Sequence, residues 1–191
     1  MDRLNLKAIG PFYWFKNPSI LKDQTASQYG VYFWTARTNG GEFIYYVGET
    51  GKSFSKRMIE HLKEYLSGYY RILDPVELAK GNKVVLWRGM FMKGPKPDIT
   101  DFVQHNERYM PALRGMLEPF NIWIFPMDCQ RNIRRRVEGA IAKSLYSQPG
   151  EVGKFQDPGI RYVTRKTDEK PIQVHIRIPN RIEGLASLLE V

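Results

Sequence analysis

The feature that most constrains this chain is the segment 29–65, in which two aromatic runs flank a glycine-rich turn. The runs 31–34 and 43–47 consist mainly of the β-branched and aromatic residues that favour strands. Between them, residues 38–41 read Thr-Asn-Gly-Gly, and Asn and Gly accept the backbone conformations that a tight turn requires. We therefore predict a β-hairpin here.

An amphipathic helix is predicted directly after the hairpin. Gly48 ends the second strand, and Ser53 or Ser55 supplies the N-cap. Arg57 and His61 are four residues apart and therefore share one face of this helix. Its apolar residues lie on an adjoining arc, which consists of Phe54, Met58, Leu62, Tyr65 and Leu66.

A second amphipathic helix is predicted near the middle of the C-terminal half. A short buried strand over 121–125 precedes it, and Asp128 is a candidate N-cap for a helix from about 130 to 147. Arg134 and Glu138 share a face away from the apolar one. The apolar face consists of Ile133, Val137, Ile141 and Leu145.

The ends of the chain have weaker patterns. Residues 1–28 are expected to pack onto the domain as a leader, with a short helix near 19–23. Strands over 160–165 and 172–178 are expected to form a hairpin, followed by a helix through Leu189.

The segment 67–118 separates the two helices described above. An apolar run over 83–92 predicts a strand, and a helix is predicted from Asp98 or Thr100 to about Leu117. The apolar side of that helix is expected to consist of Ile99, Phe102, Val103 and Met110.

The charge of the chain indicates an acidic partner. The net charge is +9, and residues 131–181 hold 12 Lys and Arg against 5 Asp and Glu. A basic half of this kind suits a polyanion, nucleic acid first. A solvated basic surface without a partner explains the charge alone equally well.

Several classes of protein and site are excluded by composition and motifs. Cys129 is the only cysteine, which excludes a disulfide framework and a cysteine-based zinc site and favours a cytoplasmic location. No apolar run reaches the roughly 18 residues that span a membrane. Neither a phosphate-binding GxxxxGK[ST] loop nor a GxSxG elbow occurs.

One ordered set of motifs resembles the core of the GIY-YIG nuclease family. It consists of Gly30-Val31-Tyr32, then Tyr46-Val47-Gly48, then Arg57 on the next helix, and Glu138 on a later helix. Each tripeptide alone is a weak signal. The order of all four, each on the expected kind of element, is more specific.

The resemblance implies an α+β fold with a small central antiparallel sheet flanked by helices. The chain would form a single nuclease domain, 1–191, with its core at roughly 29–66 and 120–165. Residues 67–118 would be an inserted strand and helix, and 166–191 a C-terminal extension that completes a hairpin and adds a helix.

The resemblance also implies a role for each motif residue. Glu138 would hold a divalent cation, Mg²⁺ or another such as Mn²⁺, and Arg57 would donate hydrogen bonds to the scissile phosphate. Tyr32 would handle the proton of the attacking water, with Tyr46 near the phosphate. A phenol is a poor base at neutral pH, so His61 would take the proton onward.

The family usually places an asparagine after the glutamate helix, but residues 153–159 contain none. Gln156 is its nearest chemical substitute. Contacts to the DNA backbone are expected from Arg134, Arg135 and Lys52.

The function implied is a metal-dependent DNA endonuclease of restriction type, with RNA as an alternative substrate and a homodimer as one way to cut both strands. A DNA-binding protein on the same fold that lacks hydrolysis is the first alternative. A structural or protein-binding domain is the second. In that case Tyr32 and Tyr46 would be packing residues, and Glu138 would pair with Arg134 on the surface.

A shared site requires Tyr32 and Tyr46 on one face of the sheet. A two-residue turn at Asn39-Gly40 would place them on opposite faces. A three-residue loop of residues 38–40 would set Tyr32 opposite Tyr46, and we predict this loop.

Overall fold

The computed structural model describes residues 2–38, 41–91, 94–156 and 162–191 and shows a mixed α+β fold, as predicted. In chain order the elements are β1 (Asp2–Lys7), β2 (Ile9–Phe12), a 3₁₀ helix (Gln24–Ser27), β3 (Gly30–Thr38), β4 (Gly41–Thr50), α1 (Phe54–Leu66), β5 (Ile72–Leu73), α2 (Pro75–Ala79), β6 (Val85–Trp87), α3 (Ile99–Gln104), α4 (Asn106–Leu117), β7 (Asn121–Pro126), α5 (Arg131–Tyr146), α6 (Gly150–Phe155), β8 (Ile172–Arg177) and β9 (Leu188–Glu190).

The central sheet has the strand order β2-β7-β3-β4, and all neighbouring strands are antiparallel. The first half of β3 is fully buried, because the strand is covered on both faces and flanked by β7 and β4. Gly30 begins β3 with a φ of +152°, and a Cβ there would overlap with the carbonyl of Phe125 in β7. The glycine therefore allows these two strands to approach closely, and β4 is left as an edge strand.

The hairpin forms where predicted, but not with the predicted loop. Thr38 pairs with Gly41, so Thr38 belongs to β3 rather than to the loop. Asn39 and Gly40 lie outside the described residues. The prediction of a three-residue loop that includes Thr38 was wrong.

A bulge in β4, rather than a three-residue loop, places Tyr32 and Tyr46 on the same face of the sheet. Tyr45 is the extra residue of the bulge, so Tyr46 lies opposite Trp34 and Gly48 lies opposite Tyr32. The predicted direct pairing of Tyr32 with Tyr46 was wrong. Because one extra residue reverses the alternation of side chains, the two tyrosines are still on the same face, as diagonal neighbours with ring centroids 6.0 Å apart.

Both predicted helices that flank the sheet are present. Ser53 is the N-cap of α1, and its hydroxyl accepts a 3.3 Å hydrogen bond from the amide of Lys56. Asp128 was wrongly predicted to cap α5, since the N-cap is Gln130, and the Asp128 carboxylate instead accepts a hydrogen bond from the Tyr29 hydroxyl at 2.7 Å. The buried apolar residues of α5 include Val137, Ile141 and Leu145.

The N-terminal segment is part of two sheets rather than a leader. β1 pairs in parallel with β8, and β2 is a strand of the central sheet. Residues 19–23 form a bridge and a turn in place of the predicted helix, and the 3₁₀ helix begins at Gln24. Both strands form through partners far away in sequence, which the local pattern of 1–28 does not reveal.

The 67–118 segment contains less strand and a more broken helix than predicted. Among the described residues 83–91, only Val85–Trp87 forms a strand, which pairs with β5. α3 and α4 are separate because His105 leaves the helical conformation, with φ −113° and ψ 32°. Ile99 and Val103, predicted to be on the apolar side, are 41% and 63% exposed.

The C-terminal prediction was wrong in two respects. Residues 162–165 are not a strand, and 160–161 lie outside the described residues, so β8 pairs with β1 and β9 instead. The chain ends in the strand Leu188–Glu190, where a helix was predicted. None of the helices that the structure describes is long and apolar enough to cross a membrane.

Candidate active site

A depression of about 550 Å³ lies at the exposed edge of β4, between α1 and α5. It brings together Arg57 and Glu138, the two charged residues of the predicted site. The other residues that line it come from the end of β4 and from both helices, and they are Glu49, Thr50, Gly51, Lys52, Glu60, Arg131 and Arg135.

Glu138 is held against the edge of the sheet. Its Oε1 accepts a 3.0 Å hydrogen bond from the backbone amide of Glu49. Burial, and next the negative charge of Glu49, raise the pKa of Glu138 to about 7. No lysine or arginine among the described residues forms an ion pair with it. The carboxylate therefore lacks a compensating cation of its own.

Arg134 is not where either prediction placed it. Its Nη1 donates to the carbonyl of Cys129 at 2.5 Å, its Nε lies 3.5 Å from Oε2 of Glu49, and its guanidinium lies 5.1 Å from the ring centroid of Tyr29. Because Arg134 is only 6% exposed, the predicted contact with DNA does not fit this placement. The alternative of a surface pair between Arg134 and Glu138 was also wrong.

Glu49 is the site residue that the sequence analysis missed. Its side chain, 9% exposed, lies between Arg131 and Arg134, with oxygen to Nε distances of 3.3 and 3.5 Å. Glu49 follows Gly48 directly, so its side chain points to the face of the sheet opposite to that of Tyr32, toward α5. A glutamate directly after the apolar run 43–47 and Gly48 was the available signal.

We expect Glu49→Gln to lower the free energy of unfolding by roughly 1–3 kcal/mol, because it leaves the buried guanidinium of Arg134 without a carboxylate. Glutamine keeps the backbone amide that Glu138 uses and nearly the same volume. Urea denaturation monitored by circular dichroism would measure the change. Glu107→Gln, at a side chain that is 71% exposed, is the matched control. Equal stability of the two variants would contradict the role of Glu49.

A buried tyrosine–histidine pair lies under Arg57. The Tyr32 hydroxyl is 2.6 Å from Nε2 of His61, and Nε of Arg57 donates to the same hydroxyl at 3.4 Å. The Tyr32 hydroxyl either donates its proton to Nε2 or accepts from an Nε2–H, according to the tautomer of His61. Tyr32 and His61 are 0% and 1% exposed.

Both members of the pair are neutral at physiological pH. Burial raises the pKa of Tyr32 well above its usual value. Burial, and next the positive charge of Arg57, hold the pKa of His61 well below its usual value. A neutral imidazole next to a neutral phenol can accept the phenolic proton.

Tyr46 lies beside this pair and is only half-buried. Burial raises the pKa of its hydroxyl to about 12. The His61 ring centroid is nearer to that of Tyr46, at 5.4 Å, than to that of Tyr32, at 5.9 Å, although the hydrogen bond goes to Tyr32. Gly48 makes this cluster possible, because a Cβ at Gly48 would overlap with the hydroxyl of Tyr32 and with the ring of Tyr46.

Gly48→Ala is expected to cost roughly 1–3 kcal/mol of stability and to slow any reaction that uses the tyrosines, because the added methyl group must displace two confined rings. Thermal melting and near-ultraviolet circular dichroism would report the change. In a Tyr32→Phe background the loss should be reduced only in part, since the hydroxyl is gone but the ring carbon Cζ, 2.5 Å from the added Cβ, remains. An unchanged melting temperature and aromatic spectrum would contradict this packing.

Two of the predicted DNA-binding residues are accessible. Lys52 is 64% exposed and pairs with Glu60 at 2.5 Å, and Arg135 is exposed on α5. Both line the depression, together with Arg131. Exposed cations on both sides of Glu138 suit an anionic ligand.

Gln156 does not fit the role of the family asparagine. Its amide donates to the carbonyls of Ile44, at 2.9 Å, and Val152, at 3.2 Å, and it is 7% exposed. These bonds fasten the end of α6 to β4. Gln156 is absent from the described residues that line the depression. Its role is structural.

Within the described part of the chain, no three His, Cys, Asp or Glu side chains come together as a metal cage. Mg²⁺ does not require one, since it binds through one or two carboxylates together with waters and substrate oxygens. Glu138 and Glu49 both line the depression, and the raised pKa of Glu138 marks a carboxylate that a cation would stabilise. The donor set therefore fits a Mg²⁺ or Mn²⁺ ion shared with substrate.

Comparisons of the chain with protein-family models, with curated proteins and with solved structures found no match. The function is therefore inferred from the depression and from the buried pair beneath Arg57.

Proposed function

We propose that this protein is a metal-dependent DNA endonuclease of restriction type with a GIY-YIG-like core. One observation carries the proposal. Arg57 lines the same depression as Glu138 and also donates to the hydroxyl of the buried Tyr32–His61 pair. A phosphate bound by Arg57 would therefore lie between a carboxylate suited to a cation and a group suited to moving a proton.

Arg57 would bind the scissile phosphate with its planar guanidinium. In the free protein its Nη1 donates to Glu60 at 3.1 Å, so this contact must give way when the phosphate binds. Tyr32 is fully buried under Arg57, and its hydroxyl becomes reachable for water when Arg57 moves toward the substrate. Arg57 would thus couple phosphate binding to the exposure of the Tyr32 hydroxyl, which is the group that takes up the proton of the attacking water.

The proton of the attacking water would pass to the hydroxyl oxygen of Tyr32 while Tyr32 gives its own proton to Nε2 of His61. Tyr32 then never becomes a phenolate, which its raised pKa disfavours. His61 is neutral in the resting protein, and the negative charge of the bound phosphate would have to offset the burial and the Arg57 charge that lower its pKa. Tyr46 lines, with Arg57, a hollow that adjoins the depression, and it would lie near the phosphate that Arg57 binds.

Glu138, with Glu49 beside it, would hold the Mg²⁺ or Mn²⁺ ion. When bound, the ion supplies positive charge that stabilises the transferring phosphoryl group. The amide of Glu49 orients the Glu138 carboxylate, and Arg131 and Arg134 hold Glu49 in place.

Plasmid nicking tests this proposal. Supercoiled plasmid should be converted to the open or linear form with Mg²⁺ and remain intact with EDTA. DNA-binding without hydrolysis is the second candidate, favoured by the structural role of Gln156, which leaves no described counterpart of the family asparagine. A gel shift in EDTA without nicking in Mg²⁺ would support that candidate. No shift and no nicking would overturn both.

The affinity for DNA is expected to fall steeply with salt, because exposed cations surround the depression. Arg135→Gln should reduce the slope of log K against log salt concentration by about one and should weaken binding to unrelated sequences alike. Fluorescence anisotropy with short duplexes would measure the slope. Lys143→Gln, exposed on the same helix but outside the depression, is the control. An unchanged slope for Arg135→Gln would exclude its contact with phosphate.

A further inference from the structure

A second hollow, of about 300 Å³, adjoins the depression, and Arg57 lies in the wall of both. Its floor is made of buried aromatic rings, including Trp34, Tyr65 and Phe155. Its rim includes Tyr70, which is half-buried, and Phe91, which is 54% exposed. We call this hollow the aromatic cavity.

Two ring nitrogens in its walls have no hydrogen-bond partner. Nε1 of Trp34 and Nδ1 of His61 are both buried and unsatisfied, and both rings line the aromatic cavity. Nε1 of Trp34 is an N–H donor, and Nδ1 of His61 donates or accepts according to its tautomer. Buried polar atoms usually have hydrogen-bond partners, and because these two belong to rings that line a cavity, a ligand with polar edge groups can supply them.

We propose that the aromatic cavity receives one unpaired nucleobase, from the nucleotide next to the phosphate that Arg57 holds. This inference rests on the proposed function and names the form of substrate. A base has flat faces that stack on aromatic rings, and its edge carries both donors and acceptors, which suit the ring nitrogens of Trp34 and His61. Since Arg57 lines both hollows, a nucleotide with its phosphate in the depression has its neighbouring base at the mouth of the aromatic cavity.

The chemistry of the walls selects against other occupants. A purely apolar ligand would leave the ring nitrogens of Trp34 and His61 unsatisfied. A phosphate group would be buried mainly against rings, since eight of the ten described lining residues carry an aromatic ring and only Arg57 and Arg71 are cations. The volume is at the lower end of the range of small-molecule sites, about 300–1,000 Å³, and suits a ligand of one or two rings.

Extruding a base from a duplex requires unstacking and unpairing, which is least unfavourable where the base is already unpaired. The protein should therefore prefer DNA that offers an unpaired base. Stacking on aromatic side chains supplies an advantage of about tenfold in affinity per base.

The test uses the full chain carrying Glu138→Gln and three duplexes in EDTA, with binding followed by fluorescence anisotropy. The first duplex is fully paired. The second carries one additional unpaired adenine, and the third carries an abasic nucleotide in place of that adenine. We expect the second duplex to bind about tenfold more tightly than the other two.

Phe91→Ala in the same background should remove most of this preference and leave the affinity for the paired duplex unchanged. Phe91 is largely exposed, so its loss should not affect folding. Phe15→Ala, at a phenylalanine that is 43% exposed and absent from the lining of the aromatic cavity, is the matched control and should retain the preference.

The outcomes separate this inference from the proposed function. Salt-dependent binding with equal affinity for the unpaired-adenine and abasic duplexes overturns the base site and leaves the nuclease proposal standing. A preference that survives Phe91→Ala unchanged also overturns the base site. Failure to bind any of the duplexes overturns both.

Discussion

Glu138→Gln is expected to lower the rate of DNA cleavage by roughly three orders of magnitude while DNA binding persists. Glutamine keeps an oxygen that can accept from the amide of Glu49, so the local geometry should remain. The charge that would hold the cation is lost. Binding should persist or tighten, because a carboxylate near the phosphate is gone while Arg57, Arg131 and Arg135 still line the depression. Nicking kinetics and anisotropy on the same preparation would measure both effects.

The metal itself provides a second readout for this variant. Mg²⁺ should raise the melting temperature of the wild-type protein, because a ligand that binds only the folded state stabilises it, and should do so much less for Glu138→Gln. Glu107→Gln, far from the depression and exposed, should behave as the wild type in both assays. Cleavage by Glu138→Gln near the wild-type rate would contradict the assignment of Glu138 as the metal ligand.

Replacing either Tyr32 or His61, the buried pair, is expected to lower the rate of DNA cleavage more than any change except Glu138→Gln. Tyr32→Phe deletes only the hydroxyl that lies 2.6 Å from His61, and His61→Gln replaces the ring that accepts its proton. Each should lower the cleavage rate by roughly 100-fold or more. Because the two side chains act as one unit, the double variant should be about as slow as the slower single variant.

Single-turnover rates for the four proteins of this double-mutant cycle would measure the coupling. Tyr109→Phe is the matched control, since it removes a hydroxyl from another buried tyrosine that is absent from the lining of both the depression and the aromatic cavity. Its cleavage rate should stay within a few-fold of the wild-type rate. Fully additive losses in Tyr32→Phe and His61→Gln would show that the two residues act separately.

Much of the secondary structure around the site could be predicted from short-range patterns. The hairpin follows from two aromatic runs that flank Asn and Gly, and α1 follows from Ser53 and the apolar arc that includes Phe54 and Met58. α5 follows from apolar residues at four-residue spacing. Each of these signals lies within about 20 residues of chain, where propensity, capping and periodicity decide the outcome.

The juxtaposition of Arg57 and Glu138 could be predicted only through the resemblance of the motifs, since neither helix indicates its partner. Glu49 and Arg134 show the limit of local patterns. Arg134 was expected at the surface, as an arginine on the polar face of its helix, but the buried carboxylate of Glu49 and the ring of Tyr29 make its burial favourable.

The sequence by itself determined the elements that carry the site, while the tertiary structure decided how they meet. The bulge at Tyr45 returns Tyr46 to the face of Tyr32, where its ring packs against the rings of Trp34 and His61. The N-terminal strands and β9 exist because distant strands pair with them. The physical reason is common to all of these cases: pairing and burial depend on groups that are far away along the chain, and no local pattern records them.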